Sequence, residues 1–216
     1  MPPELRRAVP AVVFALLVPL GGAWAQGLLD DFFLAVENDR DREVRALVAR
    51  GIGADSVDAA GEPAIGVAAR SGSVRAAEVL LAAGAKPDAR NRHGDTAMML
   101  AALNGHLAIA KALRAQGASV RGPGWTPLIY AATGGHDEIV RWLLDEGAEI
   151  NAASPNGTTA LMMAARENRY TTALLLIERG ANVNHRNENG ATALDWARRN
   201  DDAALVERLR RAGARG

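Results

Sequence analysis

The chain has 216 residues, with 25 Lys+Arg balanced by 25 Asp+Glu, and no cysteine. That length fits one or two domains, and the neutral balance gives no electrostatic reason to bind nucleic acid or anionic lipid. The lack of cysteine excludes disulfides, thiolate metal sites, a cysteine nucleophile and a lipidated N-terminal cysteine.

Residues 1–25 stand apart from the rest. MPPELRR carries Arg6 and Arg7, the run AVPAVVFALLVPL is apolar, and Ala23-Trp24-Ala25 is a small-x-small site before Gln26. These are the three regions of a secretory signal peptide. A membrane anchor needs about 20 apolar residues, and this run has 13. Cleavage after Ala25 is expected, and an exported chain without cysteine fits a bacterial periplasm. No later apolar stretch is long enough to span a bilayer, so no membrane insertion is expected after signal removal.

Beyond the signal, glycines keep a period. Gly61, Gly94, Gly124, Gly157 and Gly190 are spaced 33, 30, 33 and 33. A second set, Gly51, Gly84, Gly117, Gly147, Gly180 and Gly213, follows apolar stretches such as LLAAGAKPD and LLIERGANVN. A left-handed residue is wanted just past a helix end, and glycine takes that conformation without Cβ strain. Such a period signals a repeat architecture. Between the glycines, GDTAMMLAALNGH, GWTPLIYAATGGH and GTTALMMAARENR align, with GEPAIGVAARSGS and GATALDWARRNDD as weaker outer copies.

Thr96, Thr126, Thr159 and Thr192 share a column and are placed to cap the helix that follows. Pro127 falls at the first helical position, where a missing N–H costs nothing. Each short first helix carries an Ala-Ala pair and ends at Gly72, Gly105, Gly135 or Asn168. A second helix follows, with Ile139, Val140, Leu143 and Leu144 at helical spacing.

These motifs resemble the ankyrin repeat, G-x-T-P-L-H-x-A-A-x-x-G-H followed by a second helix ending in G-A-x-x-N. The resemblance covers about residues 28–216. It implies an all-α solenoid of about six helix-turn-helix repeats with β-turn fingers: 28–57, 58–90, 91–121, 122–153, 154–186 and 187–216. The whole of 26–216 would form one repeat domain. The divergent end copies are expected to present polar faces, through Asp39, Arg40, Asp41 and Arg42 at one end and Arg208, Arg210, Arg211 and Arg215 at the other. The chain departs from the pattern in two columns: repeat 2 has Pro63 in place of the Thr, and the histidine column is lost throughout. The histidine after T-P-L is replaced by Gly66, Met99, Ile129, Met162 and Asp195, so apolar packing is expected to stand in for its hydrogen bonds.

No catalytic constellation emerges. His106 and His136 share a structural column at the start of second helices, and His93 and His185 lie in or near turns. None has metal-ligand spacing, and Met98, Met99, Met162 and Met163 fall on core columns. No Ser, Thr or Lys sits in a nucleophile motif. GPG (122–124) lacks the Gly-Lys-Ser/Thr ending of a phosphate loop. The chain is expected to be no enzyme and to need no cofactor or metal.

The resemblance implies that contacts are made by positions flanking the turn glycine and by those before the first helix's end. Repeat 2 offers Ala60, Glu62, Arg70 and Ser71; repeat 3 offers Arg92, His93, Asp95, Leu103 and Asn104. Repeat 4 offers Pro123, Trp125, Thr133 and Gly134; repeat 5 offers Pro155, Asn156, Thr158, Arg166 and Glu167; repeat 6 offers Glu188, Asn189, Ala191, Arg199 and Asn200. Trp125 is the large aromatic in this set, either an interface anchor or a ring folded over the neighbouring finger. Trp142 and Trp196 read as packing, and so does Tyr130, although its hydroxyl could reach the groove.

The gap from helix-end glycine to turn glycine is 10 residues elsewhere but 7 from Gly117 to Gly124. One finger is thus cut back beside Trp125, and Pro123 stiffens it. The expected function is a monomeric periplasmic module that binds, inhibits, protects or assists another protein. The alternative is a small-molecule or metal carrier using the same groove.

Overall fold

The computed structural model describes residues 22–215, twelve helices in two layers with no extended strand among them. The first layer is α1 (Gly22–Glu37), α3 (Ala64–Ser71), α5 (Ala97–Asn104), α7 (Pro127–Gly134), α9 (Ala160–Arg166) and α11 (Ala193–Arg199). The second is α2 (Asp41–Ala49), α4 (Val74–Ala82), α6 (Leu107–Ala115), α8 (Asp137–Asp145), α10 (Tyr170–Glu178) and α12 (Ala203–Arg211). Each helix packs on its partner in the pair, and like helices stack along the chain as an ankyrin-type solenoid. The expected signal peptide falls mostly on residues 1–21, outside the described residues. Its cleavage junction, Ala25–Gln26, lies within the first turns of α1.

Helices of seven to nine residues, as most of these are, do not hold alone in water. Their ends are fixed locally and their faces by neighbours. The hydroxyls of Thr96, Thr126, Thr159 and Thr192 accept the N–H three residues on, at 3.3 to 3.4 Å. Pro63 opens α3 with no side-chain cap, and Pro127 sits in the first turn of α7.

The left-handed turn between the paired helices forms a complete column, Asp39, Gly72, Gly105, Gly135, Asn168 and Asp201, with φ from 53° to 82°. Asp39, expected as part of a polar end cap, instead belongs to this turn, as does Asp201. Asp39 faces inward to the next repeat, its carboxylate accepting Ala76 N–H at 2.8 Å and Arg75 Nε at 3.0 Å. Asp202 caps α12 through Leu205 N–H at 2.9 Å. Both aspartates in that column take the left-handed conformation, which Asp tolerates better than most residues.

The core runs between the layers. The Ala-Ala pairs at 68–69, 101–102, 131–132 and 164–165 are fully buried, as are the side chains of Leu143 and Leu176. Met98, Met99, Met162 and Met163 are buried too, as the core-column reading expected.

First-helix carbonyls left open at the C-terminus are taken by the following repeat. Ser73 Oγ donates to Glu37 O at 2.9 Å, and Arg169 Nε to Thr133 O at 3.1 Å. His136 Nε2 meets Leu103 O at 2.8 Å, and Asn200 Nδ2 donates to Arg166 O at 2.9 Å. The His106 ring packs over Gly72. His106 and His136 are therefore held as structural residues.

The shortened loop breaks the regularity. Neighbouring first helices are packed most closely at α5 and α7, while α6 and α8 make the least contact of any neighbouring second helices. A Cβ at Gly134 would lie 2.5 Å from Leu103 O, so this close approach needs glycine. On the outer side Arg114 spans the wider gap to Glu146, at 2.8 Å. Removing three loop residues thus pinches the inner layer and opens the outer one.

Candidate functional site: the inner face at the short finger

The fingers and the first helices form one face. Fingers 2, 3 and 5 close through single antiparallel bridges, Val57 with Pro63, Arg90 with Thr96 and Ala153 with Thr159. Adjacent fingers cover one another where both are full length. Arg92 of finger 3 lies over Gly61 and donates to Ala59 O at 3.2 Å. On the C-terminal side, finger 6 presses its backbone on Gly157, with Asn187 Cα 3.0 Å from a Cβ placed there, and His185 Nε2 meets Gly157 O at 3.1 Å. Gly94, at the tip of finger 3, has no neighbour within 4 Å of such a Cβ. The cut-back finger 4 leaves finger 3 uncovered.

The column that follows the turn glycine is unevenly covered. Glu62, Thr158 and Ala191 are buried, at 6%, 7% and 9% exposed, whereas Asp95 is half-buried and Trp125 is 37% exposed. Thr158 is thus corrected as a contact residue: finger 6 closes over it, and its N–H is held by Ser154 Oγ at 3.0 Å. The Trp125 indole meets the Tyr130 ring of its own repeat edge to face, centroids 6.1 Å apart at 85°.

Tyr130 in turn donates its hydroxyl to Asp95 of repeat 3. Burial, then the Asp95 carboxylate, push the phenol well above its usual range. Tyr130 packs against the core, as expected, and its hydroxyl also reaches this face. Its helical column faces the post-glycine column of the repeat before, and that pairing was the available signal.

Polar contacts continue toward the N-terminal end. Asn91 Oδ1 accepts the N–H groups of His93 and Asp95, both at 2.9 Å, and its Nδ2 donates to Glu62 Oε2 at 3.1 Å. Arg70 stands 3.6 Å from Glu62 Oε2. Glu62 Oε1 is buried without a hydrogen-bond partner and folds over Gly66, where no Cβ would fit. Burial raises the Glu62 carboxyl above its ordinary value, partly offset by Asn91 and Arg70. Gly66 thus fills its column because the Glu62 carboxyl occupies the space a side chain would need.

The other expected contacts lie on the same face. His93, Asn104, Pro123 and Asn156 are exposed, and Leu103 and Thr133 half-buried. Asn156 Oδ1 accepts Ser154 Oγ at 2.6 Å. Arg166 pairs with Glu167 at 2.9 Å and lies over the Trp196 ring, 5.9 Å from its centroid, with Arg199 on the same ring at 4.8 Å. Trp196 is packed against the core and also supports these two guanidiniums. Among the described residues no group of three or more His, Asp or Glu is placed to hold a metal ion, and no helix is long and apolar enough to cross a membrane.

Comparison with known proteins agrees with this architecture. The family model of ankyrin repeats (3 copies) matches residues 32–122, 116–187 and 153–215. An ankyrin repeat domain from Acinetobacter baumannii superposes with a TM-score of 0.72 at 31% identity, covering 85% of this chain and 98% of that one. The human ASB11 ankyrin repeat domain gives 0.79 at 26% identity, covering 85% and 84%. Human M-phase phosphoprotein 8 is 47% identical over 49 residues, 23% of this chain. The match spans only 6% of that protein's length.

Proposed function

The chain belongs to the ankyrin-repeat family, and on that premise we propose that it is an exported cell-envelope module that binds, inhibits, protects or assists another protein through its inner face. Ankyrin repeats generally mediate protein–protein interaction, and the fold is typically a non-enzymatic module. The observation that carries the reading is the uncovered stretch between fingers 3 and 4, where Trp125 stands 37% exposed against Tyr130. Large aromatics held on a rigid scaffold are the usual anchors of protein interfaces. Export is supported by the composition of residues 1–25. The module acts as a monomer, its inner face left open to the partner.

Capture from an envelope extract, read by mass spectrometry, tests the role. The wild-type chain is expected to retain a defined partner, and Trp125→Ala to lose it while melting at the same temperature. Equal capture by both would remove Trp125 from the interface. Sequencing the N-terminus of the exported protein is expected to start at Gln26, and an intact Met1 would overturn export by a cleaved signal.

A further inference from the structure

The charges of the inner face are not evenly spread. Toward the N-terminal end a groove of about 410 Å³ runs between α1, finger 2 and α3. Leu29, Phe33, Leu34 and Val67 give it an apolar floor, and the carboxylates of Asp30, Glu37 and Asp58 line it, outnumbering the one guanidinium there, Arg70. Leu34 is 50% exposed there. Asp95 continues the acidic run into repeat 3, while Glu62 is buried beside Arg70.

The C-terminal end presents two exposed guanidiniums together. Arg166 and Arg199 share the Trp196 ring. Arg166 has Glu167 beside it, while Arg199 has no carboxylate partner among the described residues. A guanidinium stacked on an indole keeps its N–H edge free for a carboxylate, with its geometry already fixed. Between the two ends stand Trp125 and Tyr130.

We propose that this groove selects an extended protein segment of split charge. A Lys or Arg seats in the acidic groove, its aliphatic stem on Leu34 and Val67. An Asp or Glu docks on Arg199 and Arg166. The stretch between them crosses Trp125. From the groove between α1 and α3 to the Trp196 ring at α9 and α11 is four helix-to-helix steps of about 9 Å, or roughly 36 Å. An extended chain rising about 3.3 Å per residue covers that in about eleven residues. This assignment rests on the interaction role proposed above and adds the chemistry of the partner.

Panning a random hexadecapeptide display library on the purified chain tests it. Enriched peptides are expected to pair a basic with an acidic residue about ten to twelve positions apart, the spacing set by the extended rise. The best of them, followed by fluorescence polarisation, is expected to bind about tenfold more tightly than an isomer of the same composition with the two charges adjacent, the scale of one charge-assisted pair. Arg166→Ala with Arg199→Ala is expected to weaken it by a similar factor. Replacing the peptide's acidic residue with Lys gives the same reading on the wild-type chain if that double variant melts early. No enriched peptide, winners of a single charge sign, or equal binding by the isomer would each overturn the assignment. The interaction role stands or falls separately, on capture by wild type against Trp125→Ala.

Discussion

At Gly134 one absent methyl group decides how closely two repeats meet. A Cβ there would strike Leu103 O at 2.5 Å and crowd the His136 ring. Gly134→Ala is expected to destabilise by about 1–3 kcal/mol, as overpacking does, read by urea unfolding. Gly122→Ala has open space around it and is expected to be neutral; equal losses in both would contradict the close-approach account. Glu62 gives a pH signature. Its carboxyl is raised in the fold from an ordinary 4.5, so the folded state favours the protonated form. The stability it contributes is full below that value and is lost as pH rises through the raised one. Glu62→Gln is expected to flatten the melting temperature across that window and to melt no lower than wild type at neutral pH. A variant that loses stability at neutral pH but not in acid would contradict this. None of this was legible in the sequence, where Gly134 and Glu62 are two members of variable columns. Their roles come from atoms of neighbouring repeats, Leu103 O and the Gly66 backbone.

At the scale of elements, far more could be read in advance. The Thr column, the Ala-Ala pairs and the glycine columns all report local geometry, so each copy repeats the same signal. The left-handed column was read at its four inner positions and missed at Asp39 and Asp201, because aspartate there also suits a polar end cap. The contact columns were read by position alone. Burial of Thr158 depends on finger 6, which a single repeat's sequence does not contain. Since each helix pair is too short to stand alone, stability lies in the stacked interfaces. Leu143→Ala in α8 and Leu176→Ala in α10 remove fully buried side chains and are each expected to cost about 2–5 kcal/mol. Thermal melts showing no loss for either would contradict the packing described.

Across the whole molecule, one shortened loop sets the surface. It draws α5 onto α7, leaves α6 and α8 loosely joined, and uncovers finger 3 beside Trp125. Inserting three residues between Ser119 and Gly122 would restore the common loop length. A surface loop tolerates that cheaply, so the melt is expected to hold while partner capture falls. Capture that survives the insertion would separate binding from the uncovered finger. The central claim is that the inner face at the short finger binds the partner, and hydrogen exchange of the chain with and without its captured partner tests it most directly. Protection is expected to concentrate in residues 92–104 and 122–134, on finger 3, the short finger and the first helices behind them. Protection confined to the second helices α2, α4, α6, α8, α10 and α12 would contradict it.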